Sequence, residues 1–153
     1  MGRPVNTATR ELVKMFEGLR LRAYLCSAGR WTIGWGHTSG VTAGDSITAD
    51  EAGEFFEHDL NEAAEHVDRL VRVPLTDNQR GALISFVFNF GAIKFMSSTL
   101  REVLNRGEYD RVPGELRRWT KKTDPHTHQK VVERGLVRRR EAEVALWMAG
   151  GDA

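Results

Sequence analysis

The chain has 153 residues, with 22 Lys and Arg against 21 Asp and Glu, a formal net charge of +1 and a single cysteine. That length builds one compact core without staples, and a lone cysteine with scattered histidines excludes an intrachain disulfide and a zinc-type cluster. No apolar run approaches the roughly 20 residues of a membrane span, and MGRPVNTATRELVK lacks the apolar centre of a secretory signal. As written, the sequence reads as a soluble cytoplasmic product, with the question of a removed N-terminal export anchor left open.

In chain order, Thr9 is placed to cap a short helix that carries Leu12, Val13 and Phe16 at helical spacing, with Gly18 as its stop just after Glu17. Leu19, Leu21 and Ala23 then alternate with polar residues, as do Trp31, Ile33 and Trp35, which predicts two short strands joined by CSAGR into a hairpin. Thr48-Ala-Asp-Glu51 is a capping-box pattern that opens a long amphipathic helix over about 48–71, ending before Pro74. A second such pattern, Thr76-Asp-Asn-Gln79, opens a helix whose Ala82, Leu83, Phe86, Val87 and Phe90 are almost wholly apolar, so it reads as the central core helix ended by Gly91.

Short helices are expected at 99–105 and 110–119, the second weakened by Pro113-Gly114, and KKTDPHTHQK reads as a polar loop. A last helix over about 133–148 turns Leu136, Val137, Val144 and Trp147 inward beside basic residues. There is no internal repeat. Charge is segregated: residues 48–71 hold eight acids against Arg69 alone, whereas residues 117–140 hold nine Lys and Arg against Asp124 and Glu133. The second stretch suits a polyanion or an ordinary solvated face.

Taken alone, Glu17 is an acid at a helix end. A small hairpin lobe followed by a larger helical lobe would open a cleft with Glu17 at its floor, where apolar neighbours would favour the protonated carboxyl that a general acid needs.

The spacing Glu17, eight residues, Cys26, five residues, Thr32 resembles the signature of the phage lysozymes, the endolysin muramidases of glycoside hydrolase family 24 type. TIGWGHT, LTDNQRGALISFVFNFG, STLREVLNRGEYD and GLVRRREAEVALW extend the resemblance in order over nearly the whole chain. It implies an α+β, mainly α, lysozyme-like two-lobe fold in one catalytic domain over 1–153: a hairpin lobe at about 18–47, an interlobe helix at about 48–71, and a helical lobe at about 74–150 with the N-terminal helix. It further implies hydrolysis of the β-1,4 bond between N-acetylmuramic acid and N-acetylglucosamine in peptidoglycan, for lysis at the end of a phage cycle. No cofactor or metal is expected, nor specific nucleic-acid binding, and a monomer is expected.

By that resemblance Glu17 is the proton donor, while Cys26 and Thr32 hold or activate water in an inverting step, with cysteine standing where many relatives carry aspartate. An unperturbed thiol is only a few percent ionised at neutral pH, so the reading invokes Arg20, Arg22 or Arg30 to favour the thiolate. The bland alternative for Cys26 is a small buried hydrophobe. The resemblance pairs His37 with Asp59 in a structural ion pair and points to Thr38, Phe88, Asn89, Ser98 and Thr99 as sugar contacts, with packing or capping as the alternative for Phe88 and Asn89; Arg118 and Arg138 are candidates for substrate contact through peptide or anionic groups of the wall. Residues 117–140 are a candidate for accessory contact with anionic envelope polymers, and the enzyme is expected to wait in the host cytoplasm for a membrane pore. A lytic transglycosylase using Glu17 alone is the enzymatic alternative, and a basic polyanion- or membrane-binding helical module the distant one.

Overall fold

A computed structural model describes residues 2–150. Helix α1 spans Thr7–Glu17 and feeds through Gly18 into the antiparallel strands β1 (Arg20–Leu25) and β2 (Trp31–Gly34). Helix α2 (Ala49–Leu70) runs on to α3 (Asp77–Phe90), and α4 (Ala92–Met96), α5 (Thr99–Asn105) and α6 (Val112–Leu116) follow. A second hairpin, β3 (Lys121–Thr123) with β4 (Lys130–Val132), precedes α7 (Arg134–Met148). This is the mainly helical α+β class expected from the sequence. Among the described residues no helix is long and apolar enough to cross a membrane.

Both capping boxes form: Thr48 and Glu51 exchange side-chain and backbone hydrogen bonds, as do Thr76 and Gln79. Each pair satisfies two otherwise orphaned backbone donors, and the threonine cap alone contributes about 1 kcal/mol. The first helix starts earlier than its apolar spacing suggests, because Asn6, not Thr9, is the cap: Asn6 Oδ1 accepts from Thr9 N at 3.0 Å and from the Thr9 hydroxyl at 2.6 Å. Thr9 is buried against α3 instead. A Cβ at Gly81 would run into its side chain, so glycine at that position lets α1 lie directly on α3.

The core gathers Phe56, Leu60 and Val67 of α2, Leu83, Phe86 and Val87 of α3, and Val144 and Trp147 of α7. Trp119 packs edge-on against Phe86 and Phe90, each at 5.2 Å between ring centroids. The segment read as a polar loop instead forms the β3–β4 hairpin, its turn closed by the Asp124 carboxylate, which accepts from the backbone N–H groups of His126 and Thr127. An Asx-type turn of this kind brings the two arms into register without any apolar alternation to announce it. The helix expected over 110–119 contracts to a 3-10 turn at Tyr109–Arg111 and α6, with Pro113 near the start of α6.

Candidate active site

Glu17 is the last residue of α1, and two other elements meet its carboxylate. Arg139 of α7 donates from Nη1 to Glu17 Oε2 at 2.5 Å. On the other side, Gly36 lies so close to Glu17 Oε1 that a Cβ would collide with it. The apolar surroundings expected for this acid are thus replaced, on one oxygen, by a guanidinium.

Gly36 also has φ +84°, a conformation that costs an L-residue about 1–2 kcal/mol. Gly36→Ala is therefore expected to lower stability by about 1–2 kcal/mol and to lower activity disproportionately, roughly 10- to 100-fold, by displacing the carboxylate. Thermal melting and wall-turbidity clearance of the same preparation check it, and normal activity would show that the contact with Glu17 is inconsequential.

Cys26 follows β1 directly, in the turn to β2. Its N–H donates to Arg30 O at 3.0 Å and its carbonyl accepts from Gly29 N at 2.9 Å, which fixes the loop. Tyr24 and Thr32 are direct partners in the ladder, so they share a face, and the alternation of a strand brings Cys26 to that face too. Burial pushes the thiol pKa up, but hydrogen bonds from the backbone of Arg30 and Ala28, the Thr32 hydroxyl and Cys26's own backbone outweigh it and hold the thiol below its ordinary value of 9.0. Amide and hydroxyl donors thus do what the sequence reading asked of arginine charge.

Thr32 is 3% exposed and its hydroxyl donates to Arg30 O at 3.0 Å. With its proton so engaged it offers the thiol a lone pair, and rotated it donates to a thiolate. Tyr24, which sequence reasoning passed over, senses both sides of the site. Burial first, then the negative charges of Glu17 and Cys26, raise its phenol pKa, against the Arg20 guanidinium stacked 4.6 Å from its ring. Its signal was visible two residues before Cys26 on the same strand face.

A cleft of about 300 Å³ opens between the turn after β2, α2 and the end of α3. Glu17, expected at its floor, is not among the residues that line it, nor are Cys26 and Thr32; Glu17 meets the cleft through Gly36. Gly36, Thr38, Asp59 and Phe88 line it, so the residue that abuts Glu17 is also a wall of the cleft. His37 Nδ1 sits 2.7 Å from Asp59 Oδ2, and its ring stacks on Phe55 at 4.3 Å, tying the hairpin to α2. A second cavity of about 440 Å³ is lined by Ser98, Thr99, Arg118, Trp119 and Lys130.

The proposed substrate contacts therefore divide. Thr38 and Phe88 face the first cavity and Ser98, Thr99 and Arg118 the second. Ser98 is buried, its hydroxyl donating to Phe95 O at 2.7 Å while accepting from Arg101 N at the start of α5. Asn89 Oδ1 accepts from Arg140 at 2.9 Å, and Arg138 stands exposed beside the inward-facing Arg139.

The basic stretch is less open than its count suggests. Arg139 and Arg140 are buried, Arg117 pairs with Glu141, and Arg118 with Glu115. Burial lowers the Arg140 pKa, opposed by the charge and hydrogen bonds of Glu143. No group of three or more His, Cys, Asp or Glu among the described residues is arranged to hold a metal ion. A carboxyl fixed on one oxygen, a thiol with a lowered pKa and a buried threonine hydroxyl are groups of the kinds that deliver a proton and manage a water.

Residues 14–143 match the family described as Phage lysozyme. The chain is 42% identical over 136 residues to an endolysin of Acyrthosiphon pisum secondary endosymbiont phage 1, covering 89% of this chain and 92% of that protein. It is 36% identical over 149 residues to an endolysin of Bacillus phage B103, covering 95% of this chain but 54% of that protein, so it spans about half the length of that relative. Among solved structures it resembles the muramidase domain of SpmX from Asticaccaulis excentricus, with a TM-score of 0.87 and 37% identity, covering 96% of this chain and 99% of that one.

Proposed function

Because this chain belongs to the phage lysozyme family, a family of peptidoglycan-lytic glycosidases, we propose that it cleaves the β-1,4 bond between N-acetylmuramic acid and N-acetylglucosamine with Glu17 as general acid and with Cys26 and Thr32 managing the attacking water. The observation that carries this reading is the shared wall: Gly36 lines the cleft and abuts Glu17 Oε1. Arg139 occupies Oε2. Oε1 is then the oxygen left for the substrate.

A proton passes from Glu17 Oε1 to the glycosidic oxygen as the bond from C1 to that oxygen breaks. A water held by the Thr32 hydroxyl attacks C1 from the opposite face, and its proton goes to the Cys26 thiolate. The step leaves a carboxylate and a thiol, and exchange with solvent restores both. The lowered thiol pKa supports this assignment, since it enlarges the thiolate fraction that can accept the proton. The same reading puts one catalytic domain over 1–153, with the substrate strand lying in the cleft between hairpin and helices.

Digestion of purified peptidoglycan in 18O-labelled water tests it by mass spectrometry. Reducing-end muropeptides carrying one labelled oxygen are expected. Anhydro-muropeptides, lighter by one water, would replace this reading with a lytic transglycosylase that uses Glu17 alone.

A further inference from the structure

The hydrolytic step above uses Arg139 only where it meets Glu17, yet that arginine is the outer end of a buried charge cluster. Its Nε donates to Ser85 Oγ at 3.2 Å and its Nη2 to the Ser85 carbonyl at 3.3 Å. Ser85 Oγ in turn donates to Glu143 Oε2 at 2.6 Å. Glu143 receives Nε and Nη2 of Arg140, both at 2.7 Å, and stands 3.6 Å from Arg139 Nε. Ser85, Arg140 and Glu143 are all 0% exposed.

Two guanidinium groups thus face two carboxylates, Glu143 fully buried in the helical lobe and Glu17 at its edge, against Gly36. Burying ions costs several kcal/mol each, and well-packed apolar side chains of similar volume commonly serve stability as well or better. What such a cluster supplies here is orientation. The single proton of Ser85 goes to Glu143, which leaves its lone pair for Arg139. With Nε and Nη2 held at Ser85, the guanidinium plane is fixed and Nη1 is directed at Glu17. Arg140 neutralises Glu143, so Glu143 does not draw Arg139 away from the cleft.

We propose that Ser85 and Glu143 are positioning residues of the hydrolytic site, aiming Arg139 so that the Glu17 carboxyl is held with one oxygen towards the cleft. The inference rests on the reading of Glu17 as the acid. Its chemistry is the same for any glycan strand that enters the cleft, since neither residue touches substrate.

The test is Ser85→Ala made in the native enzyme and again in an Arg139→Met background, with kcat and KM measured on a soluble uncross-linked glycan strand beside the melting temperature. In the native background kcat is expected to fall roughly 10- to 100-fold with KM unchanged, the penalty of a misplaced catalytic group. In the Arg139→Met background Ser85→Ala should add no further loss, because residues acting through one another are not additive. Ser85→Cys, close in size but with a thiol that is only a weak hydrogen-bond donor and acceptor, supplies the same comparison if Ser85→Ala fails to fold. An equal fold-loss in both backgrounds, a change confined to KM, or a loss that follows the melting temperature would overturn the inference. Full activity in Glu17→Gln would overturn the reading of the acid itself, and this inference with it, whereas an inactive Glu17→Gln beside additive Ser85 effects would overturn this inference alone.

Discussion

Glu17→Gln is expected to lower wall hydrolysis by about 10²- to 10⁴-fold, the usual contribution of a general acid, while the protein stays folded. Glutamine keeps an oxygen for Arg139 Nη1, which now reaches Glu17 at 2.5 Å, and Glu143 still stands 3.6 Å from the same guanidinium. The change therefore removes the transferable proton and leaves the geometry largely in place. The cost in stability should not exceed about 2 kcal/mol, the scale of one hydrogen bond to a charged group. Turbidity clearance and thermal melting on one preparation separate the two effects. Residual activity above about a tenth of native would exceed what loss of a general acid allows and would place the proton donor elsewhere.

The second large effect is at Cys26, and it is a contrast between two variants. Cys26→Ala should lose roughly 100-fold, because nothing remains beside Thr32 to accept the proton of the attacking water. Cys26→Asp should stay within about 10-fold of native, since a carboxylate is fully ionised at neutral pH. The pH dependence carries the sign. The thiol is held below its ordinary value of 9.0, so the native rate should climb with pH as the thiolate appears below that value. In Cys26→Asp this climb should vanish, because aspartate has titrated several pH units lower. Equal activity in the alanine and aspartate variants, with matching pH profiles, would reduce Cys26 to a small packing residue.

Local patterns carried the fold well where a few residues decide an element. Thr48 with Glu51, and Thr76 with Gln79, announce α2 and α3 because the reciprocal bonds are written into a four-residue pattern. The cap of α1 was harder: Asn6 and Thr9 are both good cap residues, and only the close approach of α1 to Gly81 shows which of them is buried. The β3–β4 hairpin left no apolar alternation to read, since all six of its strand residues are exposed and the turn depends on Asp124.

At the site, Cys26 and Thr32 follow from the spacing of the family resemblance, whereas the strand pairing that puts Tyr24 opposite Thr32 was not legible in the sequence, because alternation alone does not say which residues face each other. The partner of Glu17 was not legible either, because Arg138, Arg139 and Arg140 are adjacent in sequence and turn about 100° apart on a helix. The phase was nevertheless available. Leu136, Arg140, Val144 and Trp147 fall at intervals of four, four and three, with Glu143 beside them, so charged residues lie on the inward stripe of α7. A charge on an apolar stripe signals a buried pair more than a solvated face. The same phase turns Arg138 outward, and Arg140 in turn takes the Asn89 oxygen.

The anomeric configuration of the first product tests the proposed single displacement most directly. Proton NMR during the first turnovers of a soluble glycan strand, before mutarotation, should show the newly freed N-acetylmuramic acid end as the α anomer, because water arriving from the Cys26 and Thr32 side inverts the β linkage. Initial appearance of the β anomer would mean retention, and would contradict a water-holding role for these two residues.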